Sequence, residues 1–397
     1  MKLTLRSKYS VLQTAQLVLL FLVGLNILNK IFYVMFFAFF LCLIANYKHL
    51  KIDAMVVVLF LFSICYIVFF SPTRTSMTTI LKQFSYPMCY MIGINLFGEN
   101  DLGDGEENGV DDCLKISILV VALGSLSHYV LNALTNFNSG VRNTIDFWTG
   151  STISATGQAL LAVIAVGVFC TWILVEGQMW KKCLAVLGLI AVFAYNLILA
   201  GRTLIILSVI VLAVALVYTS MRTDTFGRIK KYLFLIGIAL VVLFLFRYNA
   251  FGIRDLIMKS NFMKRFGGAD AIEDSRFALK LQYIKNMARY PLGGDRLRMM
   301  IRGYAHELYL DAYNDVGVFG YILLIVFSIR SAMNSIRILR SNRLSVEAGC
   351  MLLCVFVAIN IVFFLEPIMQ GMPWLFCVFC FLSGLLSNLV SPSSEAS

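Results

Sequence analysis

The chain reads as an all-α polytopic membrane protein with about twelve transmembrane helices and one large loop outside the bilayer. Three observations predict this class. First, 60% of its 397 residues are hydrophobic and only 14% are charged, where soluble domains carry roughly 25% charge. Second, apolar stretches recur along the chain at about the 17–25 residues needed to cross a bilayer. Third, the basic residues between them alternate in a way that fixes one orientation. The net charge of +11 is therefore first a signature of cytoplasmic loops and not of nucleic-acid binding.

In order, the predicted spans lie near 11–28, 31–46, 54–71, 85–98, 114–134, 153–176, 183–200, 203–220, 232–248, 307–328, 347–365 and 368–389. The opening MKLTLRSKYS and the apolar run after it have no small-residue cleavage pattern, so they read as an uncleaved first span. Pro87 and Pro373 are expected to kink their helices, which neighbours in a bundle can absorb. With the N-terminus inside, Lys48 and Lys51, then Lys181 and Lys182, then Arg222, Arg228, Lys230 and Lys231, then Arg330, Arg337, Arg340 and Arg343 all fall inside, as the positive-inside rule requires. Both termini are then cytoplasmic. The acidic segment 99–112 also falls inside and reads as a solvated loop, since acids weigh little in orientation.

One joint follows from length alone. The run Cys183–Ser220 would be about 57 Å long as a single helix, against a hydrocarbon core of about 30 Å. It must fold back, and its only punctuation is Gly201-Arg202. Arg202 is thus expected at the outer tip of a helical hairpin. The alternative for this residue is simple snorkelling to the interface.

The ten cysteines, including Cys377 and Cys380 in a C-x-x-C, lie almost entirely within apolar runs and read as small buried hydrophobes. The external loop 249–305 has none; its basic residues outnumber its acids. Within it, Phe277, Leu281 and Ile284 recur at helical spacing, which predicts an amphipathic helix lying on the membrane or on the bundle. The chain is taken as a single integral membrane domain containing this loop.

The chemistry-bearing residues gather on the external face of this topology. Arg202 is at the hairpin tip, Arg276 is in the loop, and His306 opens the tenth span. Leu310, Tyr313, Asn314 and Gly317 share a helical face below His306, with Asp311 and Asp315 nearby. Polar groups in the outer half of a span normally face a cavity, and the glycines suggest close helix approach. Arginine pairs with phosphate oxygens in a two-pronged fork. Histidine accepts a proton near neutral pH. Two arginines and a histidine suit a reaction in which a diphosphate leaves and a hydroxyl attacks, with no metal or other cofactor required.

The segments AGRTLIIL (200–207), SRFAL (275–279), PLGG (291–294) and HELYLDAYNDVGVFG (306–320) resemble the bacterial O-antigen ligase/polymerase superfamily. The resemblance covers roughly the second half of the chain; the first half matches in topology only. It implies a GT-C-related bundle acting outside the cytoplasmic membrane on undecaprenyl-diphosphate-linked glycans. It gives Arg202, Arg276 and His306 the family's catalytic positions. The family commonly has Asn after the histidine, where this chain has Glu307. That carboxylate could orient His306 or simply favour the helix start. Glu307, Tyr313, Arg142, Arg296 and Arg302 are the candidate substrate contacts. Asp146 and Arg142 stand in an external RNTIDFW loop that could touch sugar or simply be solvated, and His128 could line the cavity.

The resulting expectation is a polysaccharide repeat-unit polymerase making O-antigen, capsular or exopolysaccharide. Its partners would be the lipid-linked glycan, membrane lipid, a flippase and a chain-length regulator, and no nucleic acid. Rival readings are a ligase moving glycan to another acceptor, a transporter or flippase of lipid-linked sugars, and a membrane scaffold. A transporter should show repeated halves and charges near the bilayer midplane, neither of which the sequence displays.

Overall fold

The structure, a computed structural model, describes residues 10–29, 31–69, 77–98, 109–136, 143–175, 177–260, 263, 275–301, 304–341 and 343–390. It is helical apart from one two-stranded hairpin. In chain order the elements are α1 Val11–Gly24, α2 Ile31–Ala45, α3 Ala54–Phe69, α4 Met77–Asn95 and α5 Gly109–Asn136. Strands β1 Thr144–Ile145 and β2 Thr152–Ile153 follow. Then come α6 Ala155–Leu160, α7 Val163–Leu174, α8 Met179–Leu199, α9 Arg202–Met221, α10 Thr225–Arg247 and α11 Ile253–Lys259. The last are α12 Ser275–Asn286, α13 Asp295–Ile301, α14 Leu308–Arg340, α15 Val346–Leu365, α16 Ile368–Gly371 and α17 Pro373–Val390. Among the described residues, seven helices are long and apolar enough to cross a membrane: α5, α8, α9, α10, α14, α15 and α17. Helices α1, α2, α3 and α7 are apolar and shorter. The chain is a helical, membrane-embedded protein.

It divides into two compact units. The first comprises residues 1–125, 279–344 and 366–397. Its core is α17, buried along nearly its whole length, against α4 and α14. Helices α4 and α17 meet backbone to backbone. A Cβ at Gly93 would lie 2.1 Å from the Phe381 carbonyl oxygen, and one at Gly384 would lie 2.1 Å from that of Tyr90. Only glycine allows this approach. Aromatic rings of Phe62, Tyr86, Phe327, Phe376 and Phe379 fill the space around it, with centroids 4.8–6.4 Å apart.

The second unit comprises residues 126–278 and 345–365. Its centre is α7, with eleven of its twelve residues buried, surrounded by α8, α9 and α15. Helix α10 is apolar yet exposed over nearly all its length, as expected of a helix whose solvent is lipid.

Several boundaries differ from those the sequence suggests, each for a local reason. The stretch 153–176 is not one helix. Ser154 caps Gly157 to start α6, and the chain turns at Leu161-Ala162 before α7. Helix α4 begins at Met77, earlier than the apolar run, and carries Pro87 inside it. Helix α14 runs well past residue 328 to Arg340. The predicted fold-back is present. Helix α8 ends at Leu199, Ala200 is left-handed (φ +56°), and Gly201 precedes the first residue of α9, Arg202. Asp111 and Asp112 open α5, paired with Lys115 at 2.7 and 3.3 Å. The rest of the acidic segment, residues 99–108, lies outside the described residues.

Candidate functional site at the head of α14

Glu307, Asp311 and Asp315 stand one turn apart along the start of α14, and all three are buried. Each carboxylate is occupied by hydrogen bonds. Glu307 is the N-cap, and its Oε1 accepts from the Leu310 amide at 2.7 Å. Burial raises its carboxyl above the usual carboxylate value, offset in part by that amide and by Lys280. Asp311 accepts from the Ala305 amide through Oδ1 at 2.8 Å and from the Glu307 amide through Oδ2 at 3.1 Å. Asp315 Oδ2 accepts from the Tyr66 hydroxyl at 2.9 Å and from Gln370 Nε2 at 2.7 Å; its Oδ1 accepts from Asn314 Nδ2 at 3.3 Å.

His306 sits between the two amides held by Asp311. It is half-buried and left-handed, φ +56°. A non-glycine residue in this region costs about 1–2 kcal/mol, so the surroundings must hold it there. The segment before it is packed down by a small apolar core. Tyr283, Leu297, Ile301 and Ala305 cluster with Leu310 and Tyr313 of α14. Burial, and then the Asp311 and Asp315 carboxylates, push the Tyr283 phenol well up, so it stays protonated.

One turn further, α14 is broken. Gly317 has φ +70° and ψ −169°, a conformation essentially reserved for glycine. The break parts the Asn314 carbonyl from the Val318 amide, which an unbroken helix would join. The Pro-Leu-Gly-Gly turn fills both vacancies. Val318 N donates to the Pro291 carbonyl at 2.8 Å, and Gly294 N donates to the Asn314 carbonyl at 2.5 Å. The fit is close: a Cβ at Gly317 would lie 2.7–2.8 Å from the backbone of Leu292, and one at Gly293 would lie 2.3 Å from the Tyr313 carbonyl oxygen. Tyr313 pins the same loop, its hydroxyl donating to the carbonyls of Met287 at 2.6 Å and Tyr290 at 3.2 Å.

The structure thus brings His306, Glu307 and Tyr313 together in the first unit, and it specifies what the last two do. Glu307 caps the helix, which accounts for it as a helix-start acid. The Tyr313 hydroxyl is committed to the loop backbone. Gly317 makes a break, where the sequence suggested close approach of two helices. Arg202, half-buried, opens α9 in the second unit. The backbone of Arg276 lies in the first turn of α12 and that of Arg296 in α13; their side chains, and all of Arg142 and Arg302, lie outside the described residues. The expected stripe Phe277, Leu281 and Ile284 is present on α12 and exposed, at 70%, 42% and 57%, so it faces away from the protein. No group of three or more His, Cys, Asp or Glu is placed to hold a metal among the described residues. None of the ten cysteines is in a disulfide, and all but Cys65 and Cys183 are buried.

The second unit has its own polar device. His128, Asn132 and Asn136, on one face of α5, hold the β1–β2 hairpin. His128 Nε2 and Asp146 Oδ2 are 2.8 Å apart and both residues are buried. Asn132 accepts from the Phe147 amide, and Asn136 exchanges two 2.8 Å bonds with the Ile145 backbone. The other Asp146 oxygen accepts from the amides of Trp148 and Thr149 and from the Thr149 hydroxyl. Asp146 is therefore built into the loop and does not project from it. Thr144 and Asp146 point inward while Ile145 and Phe147 are about half exposed.

Sequence reasoning placed His306 and missed what holds it. Asp311 is visible only as an acid near the helix start; its identity as a clamp needed the backbone geometry. Compared with known proteins, the chain matches no family model and no curated protein sequence.

Proposed function

We propose that the protein is a membrane glycosyltransferase that polymerises oligosaccharide repeat units carried on undecaprenyl diphosphate. In this reading the bundle has about twelve spans and is related to the GT-C fold. Both termini are cytoplasmic, and the site faces outward across the cytoplasmic membrane. His306 takes the proton of the attacking sugar hydroxyl. The new glycosidic bond forms as the bond from the anomeric carbon to the lipid diphosphate breaks, with inversion. Arg202 and Arg276 stabilise the charge that develops on the departing diphosphate.

The observation that most supports this is the seat of His306. A half-exposed histidine is held in a costly backbone conformation, on top of a helix head whose acids are each spent on hydrogen bonds. A scaffold or lipid-facing surface gains nothing from such a seat, and strain of this kind clusters where chemistry is done. The resemblance of residues 200–207, 275–279, 291–294 and 306–320 supplies the reaction class.

The test is polymer formation by purified protein from lipid-linked repeat units. His306→Ala should remain membrane-inserted and lose about 10²–10⁴-fold in rate, the usual contribution of a general base. Single lipid-linked units should accumulate in cells carrying it. At Arg202, lysine should fail nearly as badly as alanine, because it keeps the charge and loses the fork. Normal polymer length with His306→Ala removes the histidine from the mechanism. Accumulation of long lipid-linked polymer instead moves the reading to a ligase.

A further inference from the structure

The sequence leaves two roles open for the neighbouring Glu307, orienting His306 or favouring the helix start. That carboxylate is turned the other way, onto the Leu310 amide. The group that does reach the histidine's backbone is one helical turn further on. The left-handed conformation of His306 turns the amides of Ala305 and Glu307 toward the same point, an arrangement of backbone N–H groups that makes a small anion-binding concavity. The Asp311 carboxylate fills it, one oxygen to each amide, at 2.8 and 3.1 Å. Asp311 is fully buried, so this is a rigid support and not a solvated contact.

We infer that Asp311 is the positioning residue of His306: its two oxygens hold the amides of the residues before and after the histidine, Ala305 and Glu307, and thereby aim the imidazole. The requirement is for two acceptors at once. Serine, threonine or asparagine each supplies a single side-chain acceptor oxygen there. Asparagine in addition presents an NH₂ to one of the two amides, setting donor against donor. Asp315, one turn below, is engaged by Tyr66 and Gln370 and does not substitute. For its functional consequence alone, the inference rests on the glycosyltransferase reading. The placement itself does not.

Two measurements on Asp311→Asn separate these. The first is the rate at which diethyl pyrocarbonate modifies His306, located by mass spectrometry, with exposed His49 as the reference in the same sample. One lost buried hydrogen bond corresponds to about a tenfold gain in local opening, so modification of His306 should quicken roughly tenfold while that of His49 does not change. The second is turnover of lipid-linked repeat units. It should fall by about 10²-fold, the usual cost of a catalytic group misplaced by about 1 Å, with KM unchanged because the carboxylate touches no substrate. An unchanged modification rate overturns the inference, and so does a faster modification with full turnover. Quickened modification in a protein whose wild type transfers no sugar keeps the clamp and rejects only the glycosyltransferase reading. Should Asp311→Asn fail to fold, hydrogen exchange in the wild-type protein decides. The Ala305 and Glu307 amides should be protected, and exchange at the rate of an open loop overturns the clamp.

Discussion

Replacing Gly317 with alanine tests the junction between the Pro-Leu-Gly-Gly turn and α14. At φ +70° and ψ −169° any side chain pays a backbone penalty of about 1–3 kcal/mol. The new methyl would also stand 2.7–2.8 Å from the Leu292 backbone, too close for the turn to stay. The easiest escape is for α14 to re-form its own Asn314-to-Val318 bond and expel the turn. That sacrifices the Val318-to-Pro291 and Gly294-to-Asn314 bonds, each worth about 1 kcal/mol net. Those bonds are lost on opening in wild type and variant alike, so the shift is the backbone strain relieved, about 1–3 kcal/mol or about 5–150-fold in the opening equilibrium of the loop, and relief of the methyl clash adds to it. Hydrogen exchange by mass spectrometry on the purified protein reads this directly. Peptides covering 287–294 should lose protection by about that factor. Gly237→Ala, on the exposed helix α10 where a Cβ meets nothing within 4 Å, should leave exchange as it was. Wild-type protection of 287–294 in Gly317→Ala would refute the account of the break.

Other outcomes follow from the same geometry. Cysteine at Lys259 should react with an impermeant maleimide from outside the cell and cysteine at Arg340 should not; both positions are exposed, whereas Ser335 is buried and would be silent from either side. Asp146→Ala removes the acceptor of four hydrogen bonds. It should destabilise the hairpin by about 2–4 kcal/mol, seen as raised proteolysis of 143–153 with α5 intact. Burial raises the Glu307 carboxyl above its ordinary 4.5, so the folded state holds that proton more tightly than the unfolded one. Its contribution to stability is greatest below 4.5 and declines as pH rises from 4.5 through the raised folded value. Glu307→Gln, which keeps an acceptor for the Leu310 amide, should flatten that part of the stability–pH curve; an unaltered slope would contradict the burial.

What the sequence disclosed was carried by side chains and by length. Apolar runs located the helices, and the run to Ser220 was too long to be anything but a hairpin, so a turn was expected at Gly201-Arg202; it falls at Ala200-Gly201, one residue earlier. His306 was legible as a polar group opening an apolar span. What stayed hidden was carried by the backbone. PLGG and the Gly-x-x-Gly of α14 could be read as two separate strings, yet nothing in their side chains says that the carbonyl of Pro291 and the amide of Gly294 are partners for a broken helix. The turn at Leu161-Ala162 escaped because both residues are apolar, and hydropathy is indifferent to backbone direction. Asp146 looked like a loop acid because its inward orientation depends on pairing with His128, eighteen positions earlier in the chain. The paired glycines of PLGG and the glycine within α14 were the available hint, since such residues often mark left-handed turns.

The break at Gly317 also bears on how this chain enters a membrane. Helix α14 has 33 residues, about 50 Å at ~1.5 Å per residue, far more than the hydrocarbon is thick. The part from Val318 to Arg340 alone is about 35 Å long and suffices to cross. The two turns above the break are released from spanning, which is why three carboxylic acids can be afforded there. The insertion machinery therefore needs to recognise only the lower segment as a membrane helix. The upper segment can be assembled later, against a Pro-Leu-Gly-Gly turn that has already been synthesised when α14 emerges. Translation order delivers the plug before the gap it fills.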